Sequence, residues 1–230
     1  MCGRYELNIT PGRMEKLFNL GHPPGDIPAR YNVAPSQVLP IVRLDRAGER
    51  ELATMKWGLI PFWAKAPKIA YKTINARAET VATSPALRDA FKSKHCLVPV
   101  SGFYEWKKVG VGKQPYHIDM QDGEPFAFAA LWSWWKPPEG DAVDTYTIIM
   151  TEPNELCANL HDRMPVILAA EDCERWLDVA APDPQELLRP YPADEMRTYP
   201  VSTRVNSPKN DDDTLIQTVP ELAVEPPAPS

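Results

Sequence analysis

Cys2 lies directly behind Met1, and a side chain this small lets methionine aminopeptidase strip the initiator, so the mature chain is expected to begin with cysteine. An N-terminal cysteine carries a thiol of pKa ~8.5 beside an α-amine of pKa ~7.7 to 8, so part of the amine is neutral near pH 7. Such a 1,2-aminothiol condenses with an aldehyde through its nitrogen. The sulfur then closes onto the imine carbon, giving a five-membered thiazolidine with the advantage of an intramolecular step. The alternative for Cys2 is an ordinary cysteine in a strand, since this residue is often merely buried.

Three further clusters hold groups that move protons. Phe103-Tyr104-Glu105-Trp106 sets one carboxylate among three aromatics. If Glu105 is desolvated there, its pKa rises toward neutrality and suits general acid or base work; if it faces water on its strand, it is an ordinary surface residue. His161-Asp162-Arg163-Met164-Pro165 places a histidine between a helix and a strand, where it serves either proton transfer or structure. Asn75-Ala76-Arg77-Ala78-Glu79 follows a polar and aromatic loop. His22, His95 and His117 read as surface or hydrogen-bonded structural residues.

The elements that must position these groups are mostly strands. Tyr5 to Ile9 reads as a short strand, and Thr10-Pro11 opens a helix with Met14, Leu17 and Phe18 inward, ending near Gly21. Residues 22–28 form a Pro-rich loop. Residues 37–44 and 51–57 flank Asp45-Arg46-Ala47-Gly48 as a hairpin. Ser84 and Pro85 open a second helix running through Phe91. Segments 95–100, 102–109, 114–120 and 125–134 are β-rich, with Gly110, Gly112 and Asp122-Gly123 supplying positive φ between them. A strand over 145–151 leads through Pro153 to a short helix ending near His161, and residues 171–178 form another helix. This predicts an α+β fold with a largely antiparallel, curved or barrel-like sheet flanked by helices. One domain spans residues 1–220. Residues 221–230 are a Pro-Ala-rich tail with too little apolar surface to order itself.

Composition narrows the function. With 43% hydrophobic and 24% charged residues among 230, the chain is an ordinary globular protein. No apolar run is long enough to span a membrane and no signal region precedes Glu6, so a cytoplasmic location is expected. Cys2, Cys96, Cys157 and Cys173 lack metal-ligand spacing, and the last three read as core residues. No phosphate-binding glycine motif occurs, which points to chemistry without cofactor or metal. The net charge of −6 is uneven: 18 basic against 10 acidic residues through Met120, then 7 against 21. A basic face is therefore permitted despite the acidic total; two solvated surfaces of opposite sign are the alternative.

Six blocks in order carry a resemblance: Met1-Cys2-Gly3-Arg4-Tyr5, residues 30–35 (RYNVAP), 57–61 (WGLIP), 74–80 (INARAET), 102–106 (GFYEW) and 161–165 (HDRMP). From Cys2 to about Val219 the chain resembles the SRAP family, the SOS-response-associated peptidase fold of abasic-site processing proteins, in its bacterial branch. The resemblance implies that mature Cys2 attacks the ring-opened aldehyde of an abasic site in single-stranded DNA and forms a thiazolidine crosslink that protects the lesion. It implies that Asn75 orients the α-amine, that Glu105 shuttles protons during sugar opening and imine formation, and that His161 protonates the leaving hydroxyl and assists reversal. Arg4, Arg77 and Arg163 match positions that contact phosphates, and Phe62 with Trp63 could form a wedge or stacking surface. The family often shows paired tryptophans where this chain has Trp63-Ala64, so those aromatics equally suit a cover for the core.

The implied protein is a monomer that needs no cofactor and acts near the nucleoid, with possible replication-fork association. Two other readings stay open. One is a cysteine peptidase with Cys2 as nucleophile and His161 as base, including removal of Met1; the other is a non-covalent single-stranded-DNA binding module.

Overall fold

The computed structural model of the chain describes residues 2–181 and 184–222. Its elements follow from the local chemistry. β1 (Tyr5–Leu7) leads into α1 (Pro11–Phe18), where Pro11 occupies the first turn and Met14 and Phe18 face the core. Asn19, left-handed at φ 47°, ends that helix, two residues before the glycine expected to do so. β2 (Arg30–Val33) follows the Pro-rich loop, then β3 (Val38–Leu44) and β4 (Arg50–Trp57) form the expected hairpin. Its turn is held by Asp45 Oδ1, which accepts from the amides of Ala47 and Glu49, with Gly48 at φ +84°.

β5 (Asn75–Arg77) is too short to show a sequence period. The helix predicted from Ser84 starts instead as α2 (Arg88–Ser93), because residues 80–87 close consecutive turns first. β6 (His95–Val100), β7 (Gly102–Val109), β8 (Gly112–Met120), β9 (Phe126–Trp135) and β10 (Val143–Thr151) fall where the sequence places them. Gly110 and Gly123 take positive φ as expected, whereas Gly112 begins β8 without it. α3 (Glu155–Ala158), β11 (Met164–Pro165), β12 (Ile167–Leu168), α4 (Ala170–Leu177) and β13 (Met196–Pro200) complete the named elements.

Two β layers result. The first is an antiparallel sheet in the order β13-β8-β7-β1-β2. In the second, β10 pairs in parallel with β4 and antiparallel with β9, so the path β10-β4-β3-β6-β9 returns on itself as a five-stranded barrel. β5 adds to β10 in parallel, with Asn75 opposite Ile148. The α+β, barrel-like expectation is what the chain adopts.

Buried aromatics join the layers. Tyr5 of the first sheet lies 5.3 Å from Trp57, which stacks on Tyr146 at 6.2 Å, and the hydroxyls of Tyr5 and Tyr146 are hydrogen-bonded at 2.9 Å. Burying rings of this size supplies much of the apolar stabilisation of such an interface. His95 and His117 are buried and hydrogen-bonded, His117 to Glu6 at 2.9 Å, while His22 is exposed.

The segment after β13 straps the first sheet from outside. Asp211 accepts from the amides of Tyr31 and Asn32 and from Arg30 Nε. Glu221 and Leu222, at the start of the expected tail, accept from Tyr116 and donate to Gln114 respectively. The rest of that tail, residues 223–230, lies outside the described residues.

Candidate functional site

Cys2 is fully buried, and its Sγ points to the Arg4 carbonyl at 3.7 Å. Burial pushes the thiol well above its ordinary pKa, and the nearby Glu105 carboxylate adds to the effect. The two groups therefore lie close enough to interact electrostatically.

Glu105 owes its position to strand alternation in β7. Phe103 and Glu105 point to one face and Tyr104 and Trp106 to the other. Phe103 packs edge-on against Phe128 in the main core, whereas Tyr104 packs with Val201, Val205 and Leu215 under the strap. Glu105 therefore faces inward. Burial raises its carboxyl to about 7, with the charge of the chain's amino terminus opposing and Asp162 assisting the rise. Of the two possibilities open for this residue, the structure selects the desolvated one.

Asp162 lies next to His161, so the loop after α3 reaches the same place. The His161 amide donates to the Cys157 carbonyl at 2.9 Å, holding the loop to α3. Nδ1 of His161 sits 3.1 Å from the Arg163 amide, which can only donate, and 2.8 Å from Asp162 Oδ1, which in its anionic form can only accept. One nitrogen cannot serve both. Burial is the main force on this ring and keeps it neutral, so Nδ1 accepts from Arg163 and the proton resides on Nε2. Asp162 is largely exposed and becomes a partner only when the ring is charged.

Asn75 comes from β5, where register with β10 fixes it. Both polar atoms of its side chain are buried and have no hydrogen-bond partner among the described residues. A buried unsatisfied amide costs on the order of 1 to 3 kcal/mol per group. Such groups cluster where a ligand is meant to supply the partner.

The arginines differ in status. Arg77 leaves β5 on the same face as Asn75, is exposed, and forms no ion pair among the described residues. Arg163 is partly buried and donates to the half-exposed Glu79. Arg4 donates to Asn32 Oδ1 and to the carbonyls of Val205 and Asn206, so it anchors the strap as well as flanking Cys2.

Phe62 and Trp63 are both about half exposed, on a turn closed by the Ala64 amide on the Pro61 carbonyl. That turn is fixed from beneath by Trp135 Nε1 on the Ala64 carbonyl, so the rings project from a rigid base. Gly58, at φ +117°, lets the chain turn against Ala70; a Cβ there would lie 2.9 Å from the Ala70 carbonyl oxygen. Lys65, Lys68, Tyr71 and Lys72 are exposed on the same excursion. They were not anticipated, although residues 52–78 contain five basic residues and no acidic one.

Among the described residues no group of three His, Cys, Asp or Glu side chains could hold a metal ion. None has a helix long and apolar enough to cross a membrane. All four cysteines are buried and free.

A barrel backed by one antiparallel sheet, with an inward glutamate beside the first cysteine, defines a class. The family profile described as SOS response associated peptidase (SRAP) matches residues 1–208, and the chain belongs to that family. It is 46% identical over 223 residues to abasic site processing protein YoqW of Bacillus subtilis, covering 94% of this chain and 99% of the relative. It is 44% identical to YoaM of the same organism, covering 94% and 97%. A solved structure of a protein from Bacteroides thetaiotaomicron superposes with a TM-score of 0.85 at 27% identity, covering 95% of this chain and all of that one.

Proposed function

We propose that the mature chain captures abasic sites in single-stranded DNA as a thiazolidine on Cys2. The opened sugar presents an aldehyde at C1′. The Cys2 amine adds to it, the hydroxyl leaves as water to give an imine, and Sγ adds to the imine carbon while the thiol proton passes to nitrogen. One water is lost and nothing is oxidised. The relatives named for abasic site processing support this reading.

The observation that carries it is the inward Glu105, titrating near 7 beside Cys2. A carboxyl at that pKa gives a proton to the ring oxygen as the sugar opens and takes one from the amine as the imine forms. Asn75, with its unpartnered buried amide, orients the amine. His161 donates a hydrogen bond from Nε2 to the leaving hydroxyl and, when its ring is charged and paired with Asp162, protonates it and helps reverse the adduct. Arg77, with Arg163 and Arg4, contacts backbone phosphates, and Phe62 and Trp63 stack on or wedge against bases. None of these contacts depends on base sequence, as suits a lesion reader. The protein acts as a monomer in the bacterial cytoplasm near the nucleoid, at sites where replication exposes single strands.

A thiol peptidase needs a cysteine whose pKa is depressed by its histidine. Here burial and Glu105 push the Cys2 thiol the other way, which favours the aminothiol reading.

The test is incubation of Met1-processed protein with a single-stranded oligonucleotide bearing one abasic site, followed by denaturing electrophoresis and mass spectrometry. A stable adduct lighter than the summed masses by one water is expected. Reversible binding equal for intact and abasic strands would leave a non-covalent DNA-binding module, and a burst of peptide product would leave a peptidase.

A further inference from the structure

Glu79 has no part in the chemistry above, yet it joins two halves of the site. It lies in the turn after β5, where the amides of Thr80 and Val81 both donate to the Arg77 carbonyl. Its Oε1 accepts from Arg163 Nη1 in the loop that carries His161. That hydrogen bond is the chief reason the Glu79 carboxyl is held below its ordinary range, and the nearby charge of Arg77 favours the anion further. Glu79 is half exposed, so a strand passing Arg77 meets the carboxylate directly.

A phosphodiester offers a guanidinium the same pair of oxygens that a carboxylate offers. A backbone phosphate reaching Arg163 must therefore displace Glu79 or repel it. We propose that Glu79 is a counter-ion gate: it positions and neutralises Arg163 in the DNA-free site and yields it to a backbone phosphate when a strand enters. The exchange makes each encounter with an undamaged strand weaker, and it leaves the reaction at Cys2 untouched. An exposed ion pair of this kind adds only about 0 to 1 kcal/mol to folding, so its removal is felt in binding. This rests on the single-stranded-DNA reading given above.

The test uses the full Met1-processed chain as wild type, E79Q, E79D, R163Q and the E79Q/R163Q double variant. Affinity for an intact single-stranded oligonucleotide is measured across a salt series, with crosslinking to an abasic oligonucleotide at saturation in parallel. E79Q is expected to bind about fivefold tighter at low salt with a salt slope steeper by about 0.7, the single-strand value for one phosphate charge, because no freed carboxylate is left to take up a cation when Arg163 meets the phosphate. Its crosslinking rate at saturation equals that of the wild type, E79D binds as the wild type does, and E79Q changes nothing when Arg163 is already Gln. Binding by E79Q within twofold of wild type, or an equal gain in the R163Q background, overturns the gate while leaving the crosslinking reading intact. A wild type that neither binds nor crosslinks any strand overturns both.

Discussion

Arg4 and Asn32 are joined at 3.0 Å, Nη1 to Oδ1, and the same asparagine's amide nitrogen donates to the carbonyls of Val205, Ser207 and Asn210. One fully buried side chain thus ties the N-terminal segment that carries Cys2 to a stretch between 173 and 178 positions away in the chain. Asn32→Ala removes the donor those three carbonyls share and one of the three acceptors of the Arg4 guanidinium. It is expected to lower unfolding stability by about 2 to 3 kcal/mol, measured by urea denaturation, and to reduce crosslinking through the displaced N-terminal segment.

Glu105 makes stability depend on pH in a stated direction. The folded carboxyl keeps its proton up to about 7, whereas the ordinary value is 4.5, so between those values the folded chain holds a proton that the unfolded chain has lost. Stability contributed by that proton is present at low pH and is lost as pH rises through the window. In Glu105→Gln this loss is absent. The difference in unfolding free energy between wild type and E105Q should shift by on the order of 3 kcal/mol between pH 4.5 and 8, in favour of the variant at high pH. The same variant should crosslink at least about tenfold slower while binding intact strands normally. Unchanged crosslinking kinetics would remove Glu105 from the mechanism.

Asn75→Ala separates function from stability. Because neither amide atom has a partner among the described residues, deleting them removes a burial cost, and the melting temperature should hold or rise. Crosslinking should fall about tenfold or more. A destabilised N75A would mean that the amide is satisfied in the folded chain.

Cys2→Ser keeps the amine and loses the sulfur. Borohydride should trap an imine with this variant, and with Cys2→Ala, on an abasic strand. Neither should give an adduct that survives denaturation without reductant. A retained Met1 should block ring closure in the wild type, since the free amine then belongs to the wrong residue.

Phe62→Ala and Trp63→Ala test the rim. Both side chains are about half exposed on an anchored turn, so folding should be unaffected while single-strand affinity weakens by about 1 to 3 kcal/mol per ring, read by fluorescence anisotropy.

The sequence made the long elements legible and left the short ones hidden. The β3–β4 hairpin announces itself through alternation and an Asp-to-Gly turn, and the α1 start through Thr10-Pro11. β5, β11 and β12 have two or three residues each, too few for any period, and exist because β10 and β9 offer them edges. Cys2, Asn75, Glu105 and His161 could be named from their blocks. The facing of Glu105 could not, because alternation gives two faces and only the strap over Tyr104 decides which is the core. Asn32 and Glu79 were invisible as hubs, since their partners lie far away in sequence. The acid-free stretch over 52–78 was readable and pointed to the lysine-rich excursion.

Ring closure at β10 also sets an order of events during synthesis. The reactive amine and sulfur leave the ribosome first, but the fifth stave of the barrel and the histidine loop behind it come some 140 residues later. Until that last stave docks, Asn75 has no neighbour to set its register, and the glutamate has no dry wall around it. A chain cut before β10 thus bears a nucleophile without its proton handlers.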